Sequence, residues 1–311
     1  MTIAFVFPGQ GSQSVGMLSA LGEAFPEVGR TFEELSDVLG QDFVRLVWEG
    51  PAEALDRTEN TQPAMLGAGV AVLRLWEHSG GCAPAVVAGH SFGEYTALVA
   101  AGALDFASAA RLARLRGRLM QEAVPEGRGA MAAVLGLEDE RVRALCAEAA
   151  GGRVLEAVNY NAPGQVVVAG EREAVERLAT AAKAAGARRV VMLPVSVPAH
   201  SSLMREAAAR LAEALREAPV SKPRIPVLHN VDVAEHAEPD AIRQALAAQL
   251  HNPVRWVETI RAMRARGVDR LLEMGPGRVL SGLARRIDRS LKAVCVDSPQ
   301  ALEEALALCG E

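Results

Sequence analysis

One stretch constrains this chain more than any other: Val86-Val87-Ala88-Gly89-His90-Ser91-Phe92-Gly93-Glu94. A short apolar run enters Gly-His-Ser-Phe-Gly, and a helical pattern follows. This is the G-x-S-x-G arrangement, in which a serine sits on a tight turn from strand to helix. The turn forces an unfavourable backbone on the serine, so its neighbours must be small. Gly89 and Gly93 carry no Cβ. A helix starting near Gly93 turns its free N–H groups and positive dipole end toward Ser91. A serine presented this way suits acyl transfer. The competing plain reading is a glycine-rich strand–helix turn with an incidental serine.

Such a turn needs a parallel sheet around it, and the chain supplies one. Apolar runs at 3–7, 85–88, 226–230, 270–274 and 293–296 read as strands. Helical patterns fall around 17–25, 26–39, 41–48, 106–123, 201–217, 239–250 and 254–266. Two more run to 287 and through the C-terminus. The segment 64–73, capped by Asn60 or Thr61, is apolar nearly all round and reads as a buried helix. Strands alternating with helices predict an α/β fold, a mostly parallel sheet covered on both faces.

After Pro125-Glu126-Gly127-Arg128-Gly129 the pattern changes. Strands are expected at 131–137, 153–159, 165–169 and 188–193, with helices at 138–150 and 171–185. The order βαββαβ describes a ferredoxin-like unit. Residues 126–194 then form an inserted subdomain within a discontinuous larger domain, 1–125 and 195–311.

The 311 residues are half apolar, so a full core is expected and disorder is not. The net charge of −5 argues against a nucleic-acid binder. Residues 1–7 lack a basic leader and read as a buried strand, not a signal peptide. No apolar run reaches the length of a membrane span. Cys82, Cys146, Cys295 and Cys309 lie far apart, and reduced thiols in a cytoplasmic protein are the simplest reading. No His/Cys/carboxylate cluster has metal-ligand spacing.

A serine nucleophile needs a base, and six histidines are present. His90 adjoins the serine and is expected to point away from it. His78 closes a helix and His236 lies in a polar stretch. His229, His251 and His200 occupy loops at element ends. His200 opens a helix after a proline-containing loop, a firmly held position that suits either a base or a structural cap. Between Ser91 and His200 the aspartates are Asp105 and Asp139, neither well placed. An ordinary triad is therefore not expected, and a backbone or amide oxygen is left to orient the histidine. A second oddity is Arg116. Leu112, Leu115 and Leu119 share one helix face, and Arg116 falls within their stripe. A guanidinium there needs an anionic partner or water. The alternatives are a snorkelling arginine at the rim and one paired with an internal carboxylate.

Several separated motifs resemble the malonyl-CoA:acyl carrier protein transacylases of type II fatty acid synthesis. They are Phe7-Pro8-Gly9-Gln10-Gly11-Ser12-Gln13, Gly89 through Tyr95, and Asn159-Tyr160-Asn161-Ala162-Pro163-Gly164-Gln165. They continue with Val195-Ser196-Val197-Pro198-Ala199-His200, Gln249-Leu250-His251-Asn252-Pro253-Val254-Arg255-Trp256 and Glu273-Met274-Gly275-Pro276-Gly277. The motifs keep the family's order from about residue 3 to 288. The resemblance implies an α/β-hydrolase-like catalytic domain with a ferredoxin-like insert. It implies that Ser91 is acylated and that His200 is the general base, oriented by the backbone carbonyl of Gln249. It assigns the backbone N–H groups of Gln10 and Phe92 to an oxyanion hole. Arg116 would pair with the free malonyl carboxylate. Two positions depart from the pattern: Ala199 where many members have Ser, and Phe92 where many have Leu. Both bear on pocket volume, and neither removes a catalytic group.

The expected activity is ping-pong transfer of malonyl from malonyl-CoA to the phosphopantetheine thiol of acyl carrier protein, with no bound cofactor or metal. The insert and the buried helix 64–73 are expected to roof the cleft. Carrier proteins are acidic, so Arg188, Arg189, Arg285 and Arg286 are the candidate docking residues. A monomer without nucleic-acid or membrane partners is expected. Three alternatives stay open: a discrete polyketide acyltransferase, a serine thioesterase or esterase on the same elbow, and a non-catalytic carrier-docking subunit.

Overall fold

The apolar runs pair into two sheets in a computed structural model that describes residues 2–195 and 197–310. Ser196 of the fourth motif lies outside the described residues. The strands are β1 (Ile3–Phe7), β2 (Val86–Gly89), β3 (Gly129–Leu135), β4 (Leu155–Ala162) and β5 (Gln165–Glu171). They continue as β6 (Arg189–Met192), β7 (Val227–Leu228), β8 (Arg270–Glu273) and β9 (Lys292–Cys295).

The larger sheet has the order β7-β2-β1-β8-β9. Every neighbouring pair in it is parallel. β1 is central and buried along its whole length. Its alternation divides two cores: Phe5 and Phe7 pack on one face, Ala4 and Val6 on the other. A continuous apolar strand is what a sheet covered on both faces requires.

The smaller sheet has the order β4-β5-β3-β6 and is antiparallel throughout. With the helices Asp139–Ala150 and Arg172–Ala184 it completes the βαββαβ unit. Ala132, Val134, Val166 and Val168 face those helices. Met131, Ala133, Val167 and Ala169 face the other way, against Leu193, Val195 and Ala199. The helix-free face is thus turned toward the segment that carries His200. The smaller sheet is also tied directly to the loop before the helix Trp256–Ala265 of the larger unit. Tyr160 N–H donates to the Val254 carbonyl at 3.0 Å, and Val254 N–H to Val158 at 2.8 Å.

Four expectations change. The helix expected at 64–73 runs Thr58–His78, with Pro63 inside it. Its polar first turns are buried because they find partners: Asn60 donates to the Ala54 carbonyl and Thr61 to Leu55, at 2.8 and 2.6 Å. The strand expected at 226–230 is only Val227–Leu228, so His229 and Asn230 leave the sheet edge. The helix after His200 opens with a 3-10 turn, Ser202–Met204, before Arg205–Glu217. Finally, Cys82 and Cys309 are not both thiols but form a disulfide, with Cα atoms 5.7 Å apart. They are 227 residues apart in the chain, and the fold brings the C-terminal helix back beside the segment that enters β2. Cys146 and Cys295 are free and buried. Among the described residues no helix is long and apolar enough to cross a membrane.

Candidate active site

β2 delivers the chain to Ser91, whose φ of 52° lies in the left-handed region. That conformation is unfavourable for a side-chain-bearing residue and persists only where its surroundings hold it. The surroundings are tight. A Cβ on Gly89 would lie 1.8 Å from the Gly93 carbonyl carbon, and one on Gly93 would lie 2.1 Å from the Phe7 oxygen. The helix Gly93–Ala100 starts directly after the turn.

Ser91 Oγ lies 2.6 Å from His200 Nε2. His200 Nδ1 lies 2.7 Å from the main-chain oxygen of Gln249. A carbonyl oxygen only accepts, so Nδ1 carries the proton and Nε2 accepts from the serine hydroxyl. His200 also has a positive φ, 65°, and its own N–H donates to the Leu250 carbonyl at 2.9 Å. Ser91 and His200 are therefore both held in strained backbone. His200 is buried, and burial, reinforced by the Arg116 charge, pushes its pKa down to about 3. It is neutral at pH 7 and able to take a proton.

Arg116 reaches the same place from the helix Phe106–Ala123 and is only 1 % exposed. Its Nη2 donates to Gln249 Oε1 at 2.9 Å. Its guanidinium lies 5.9 Å from the ring centres of Phe92 and Tyr95, which stack on each other. Among the described residues no carboxylate pairs with it, and its buried Nε has no partner. Burial lowers its pKa, yet a guanidinium keeps its charge.

Ser91, His200, Arg116, Gln10 and Phe92 all line one cavity of about 110 Å³. Its opposite wall includes Met131, Asn159 and Leu193 of the smaller unit. Helix Thr58–His78 contributes Gln62, two residues before the expected roof; residues 64–73 do not line the cavity. No hydrogen bond among the described residues uses the Gln10 or Phe92 main-chain N–H. Gly9 allows their approach, since a Cβ there would meet the His90 oxygen at 2.5 Å.

Three other histidines are engaged elsewhere. His90 borders the cavity but turns its Nε2 to Asn161 Oδ1 at 2.7 Å. His229 Nδ1 lies 2.7 Å from Glu94, and His236 pairs with Asp232. The four surface arginines are exposed and split in two ways. Leu135 pairs with Arg189 on one side and Gln165 on the other, and Arg286 donates to the Gln165 side chain. Arg188 adjoins Gly136 in the same region. Arg188, Arg189 and Arg286 thus form one basic edge, whereas Arg285 is tied to the Ala293 carbonyl at 2.6 Å.

Three residues beside the site received no role from the sequence: Glu94, Asn230 and Asn161. Asn161 fixes His90. Glu94 is fully buried in the first turn of an otherwise uncharged helix. A charge in such a helix was the available signal. Asn230 gave none, because it lies in a loop whose position depends on β7.

A strained serine on a strand–helix turn, paired with a neutral histidine on a parallel α/β sheet, defines a serine acyl-transfer protein. The comparisons narrow the class. The acyl transferase domain model matches residues 4–295, and the chain belongs to that family. It is 54% identical over 305 residues to the malonyl CoA-acyl carrier protein transacylase of Escherichia coli (strain K12), covering 98% of this chain and 99% of that protein. The Bacillus subtilis (strain 168) protein of the same name is 43% identical, covering 98% and 96%. Among solved structures, the malonyl CoA-acyl carrier protein transacylase of Coxiella burnetii superposes with a TM-score of 0.99 at 46% identity, covering 100% and 98%. A malonyl-transacylase solved with a type II polyketide acyl-carrier protein gives 0.98 at 53%, covering 99% and 100%.

Proposed function

We propose that the protein is an acyl-carrier-protein S-malonyltransferase of fatty acid biosynthesis. The observation that carries this reading is the convergence of Ser91, His200 and the buried, carboxylate-free Arg116 on one cavity. In the first half-reaction Ser91 Oγ attacks the malonyl thioester carbonyl while His200 Nε2 takes its proton. The oxyanion collects in front of the Gln10 and Phe92 amides. Collapse breaks the C–S bond, and His200 returns the proton to the leaving sulfur as CoA departs. The carrier's phosphopantetheine thiol then gives its proton to His200 and attacks the malonyl-serine ester. The proton returns to Ser91 Oγ as the new thioester leaves. The Gln249 carbonyl holds the imidazole in one tautomer and takes the place of a triad carboxylate.

Arg116 supplies selectivity. A malonyl carboxylate gives the buried guanidinium the anion it lacks, and an acetyl group does not. Water exclusion follows from a small cavity walled by both units. Residues 126–194 act as an inserted subdomain and the remainder as the catalytic domain. The basic edge of Arg188, Arg189 and Arg286 is suited to an acidic carrier, with Arg285 as its structurally tied neighbour. Arg189 lies four residues, about 13 Å of extended strand, before Leu193 at the cavity wall. One chain carries every group named, so a monomer suffices, and no cofactor enters the reaction. A cytoplasmic site suits work on CoA and carrier thioesters, although the Cys82–Cys309 disulfide is unusual there. The likeness to a transacylase solved with a polyketide carrier favours a second reading, supply of malonyl to a polyketide carrier by the same chemistry.

The test is a panel of acyl-CoA thioesters with intact-mass detection of the acyl-enzyme, followed by chase with carrier. Malonyl trapped on Ser91 and discharged by carrier is the expected result. Trapping by Ser91→Ala protein would sink the assignment. Release of malonate to water at the transfer rate would favour a thioesterase instead.

A further inference from the structure

The strained backbone of Ser91 is gripped from both sides by amide side chains that come from distant parts of the chain. Its N–H donates to Asn230 Oδ1 at 2.7 Å. Its carbonyl accepts from Gln249 Nε2 at 2.9 Å. Both residues meet the same carboxylate, Gln249 through its side chain and Asn230 through its main chain. Glu94 Oε2 accepts from Gln249 Nε2 and from the Asn230 main-chain N–H, each at 2.9 Å. Glu94 Oε1 accepts from His229 Nδ1 at 2.7 Å. The Asn230 amide is completed by its Nδ2, which donates to the Gly89 carbonyl at 2.7 Å. Glu94, Asn230, His229 and Gln249 are all fully buried.

The orientation of the Gln249 amide is forced by this arrangement. Its NH2 faces two acceptors, Ser91 O and Glu94 Oε2, while its oxygen faces the Arg116 donor. Turned over, the amide would set oxygen against oxygen twice and donor against donor once. Glu94 and Arg116 therefore clamp Gln249 from opposite ends. A buried network of this kind is rigid only while every member is satisfied.

We propose that Glu94 is a positioning residue for the transfer reaction, resting on the reading of the site given above. It fixes the Gln249 amide and the Asn230 main chain, the two residues that hold Ser91 in its left-handed conformation. Through Gln249 it also braces Arg116 at the depth where a malonyl carboxylate arrives. Glu94 touches neither substrate nor the reacting atoms. Its effect passes through Gln249 and Asn230, so its loss should slow acylation and blur the choice of acyl group together. A purely structural carboxylate would lower stability without altering that choice.

The experiment compares wild type, Glu94→Ala, Glu94→Gln and Gln249→Ala in single-turnover acylation by malonyl-CoA and by acetyl-CoA. Rates are taken per folded molecule, counted by near-UV circular dichroism. Misplacing a reacting group by about 1 Å costs about 100-fold. The expected result for Glu94→Ala is a malonyl acylation rate lower by that order, with the malonyl-over-acetyl preference narrowed about tenfold, the smaller part of that loss. Glu94→Gln should recover most of the rate. Its oxygen can accept from Gln249 and Asn230, and its NH2 can face a His229 that has exchanged tautomers. Gln249→Ala keeps the main-chain oxygen for His200 and should reproduce both losses, so it carries the test if Glu94→Ala does not fold. Wild-type rate and preference in Glu94→Ala, or in Gln249→Ala, overturns the proposal. So does a Glu94→Gln protein as slow as Glu94→Ala. A wild-type protein that traps no malonyl sinks the reading of the site itself, which separates the two failures.

Discussion

The two sheets contribute to one cavity in opposite ways. The parallel sheet supplies atoms fixed by backbone: a serine and a histidine held at positive φ, and an arginine clamped by a buried amide. His200 and Arg116 in it are buried, and its part of the site has little freedom. The antiparallel sheet supplies a wall of Met131, Asn159 and Leu193, and an exposed arginine edge on the strand that leads to it. The division follows from topology. A βα turn in a parallel sheet points a residue past the sheet's carboxyl end, beside a helix N-terminus. An antiparallel sheet with helices on one face leaves the other free to cover a neighbour. On the proposed reading, the chemistry belongs to one unit, and enclosure and most of the carrier contact to the other.

The sharpest way to break this division is Ser91→Ala. Both half-reactions should fall by on the order of 10⁴-fold or more, as when a nucleophile is removed from a serine enzyme, and no acyl-enzyme mass should appear. Residual transfer within tenfold of wild type would mean that the parallel sheet does not hold the chemistry. The next effect is selectivity. Arg116→Ala removes charge-assisted bonds of about 1.5–3 kcal/mol, so malonyl acylation should fall about 10- to 100-fold relative to acetyl. An unchanged ratio of the two rates would take Arg116 out of substrate recognition. The basic edge, Arg188 and Arg189 of the antiparallel unit with Arg286 of the helix Val279–Ile287, is probed by the triple charge reversal Arg188→Glu, Arg189→Glu and Arg286→Glu. The KM for the carrier should rise about tenfold and more steeply at low salt, as rim charges mainly affect association. The first half-reaction should be much less affected. A carrier KM that does not move would place docking elsewhere.

Local chemistry made much of this legible in the sequence. The elbow is spelled out in five residues because its geometry depends on immediate neighbours. The βαββαβ order follows from period and punctuation. Arg116 stood out because a guanidinium on a leucine stripe has to be explained. What sequence did not disclose depends on chain closure. Glu94 is 135 positions from His229 and 155 from Gln249. The Cys82–Cys309 bond spans 227. No periodicity reaches that far. The role of the Gln249 carbonyl came only from family resemblance, since any residue has a carbonyl and side-chain chemistry does not mark it. The sequence marks the start of helix Thr58–His78 too late, because Pro63 and the polar residues before it look like a helix start. Their burial against the short helix Ala52–Leu55 and its flank overrides that local signal.

The smallest effect is a difference in acid sensitivity between the two units. All six histidines lie outside 126–194, so the antiparallel unit has none to protonate. His200 has its pKa lowered from 6.5 to about 3 by burial first and by Arg116 second. Burial also lowers that of His90. For a basic group depressed in the folded state, the unfolded chain binds the extra proton between the two values. The stabilisation is therefore complete above about pH 6.5 and is lost progressively as the pH falls toward 3. Denaturant unfolding should show the free energy declining with acid across that window, with a His200 share of at most one proton. In His200→Gln protein that share should vanish, leaving a shallower slope between pH 4 and 6 while stability at pH 8 shifts only by the lost hydrogen bonds. An identical slope in the variant would mean that His200 already titrates normally in the folded protein, and the parallel unit would lose the buried, neutral base on which the contrast between the two sheets rests.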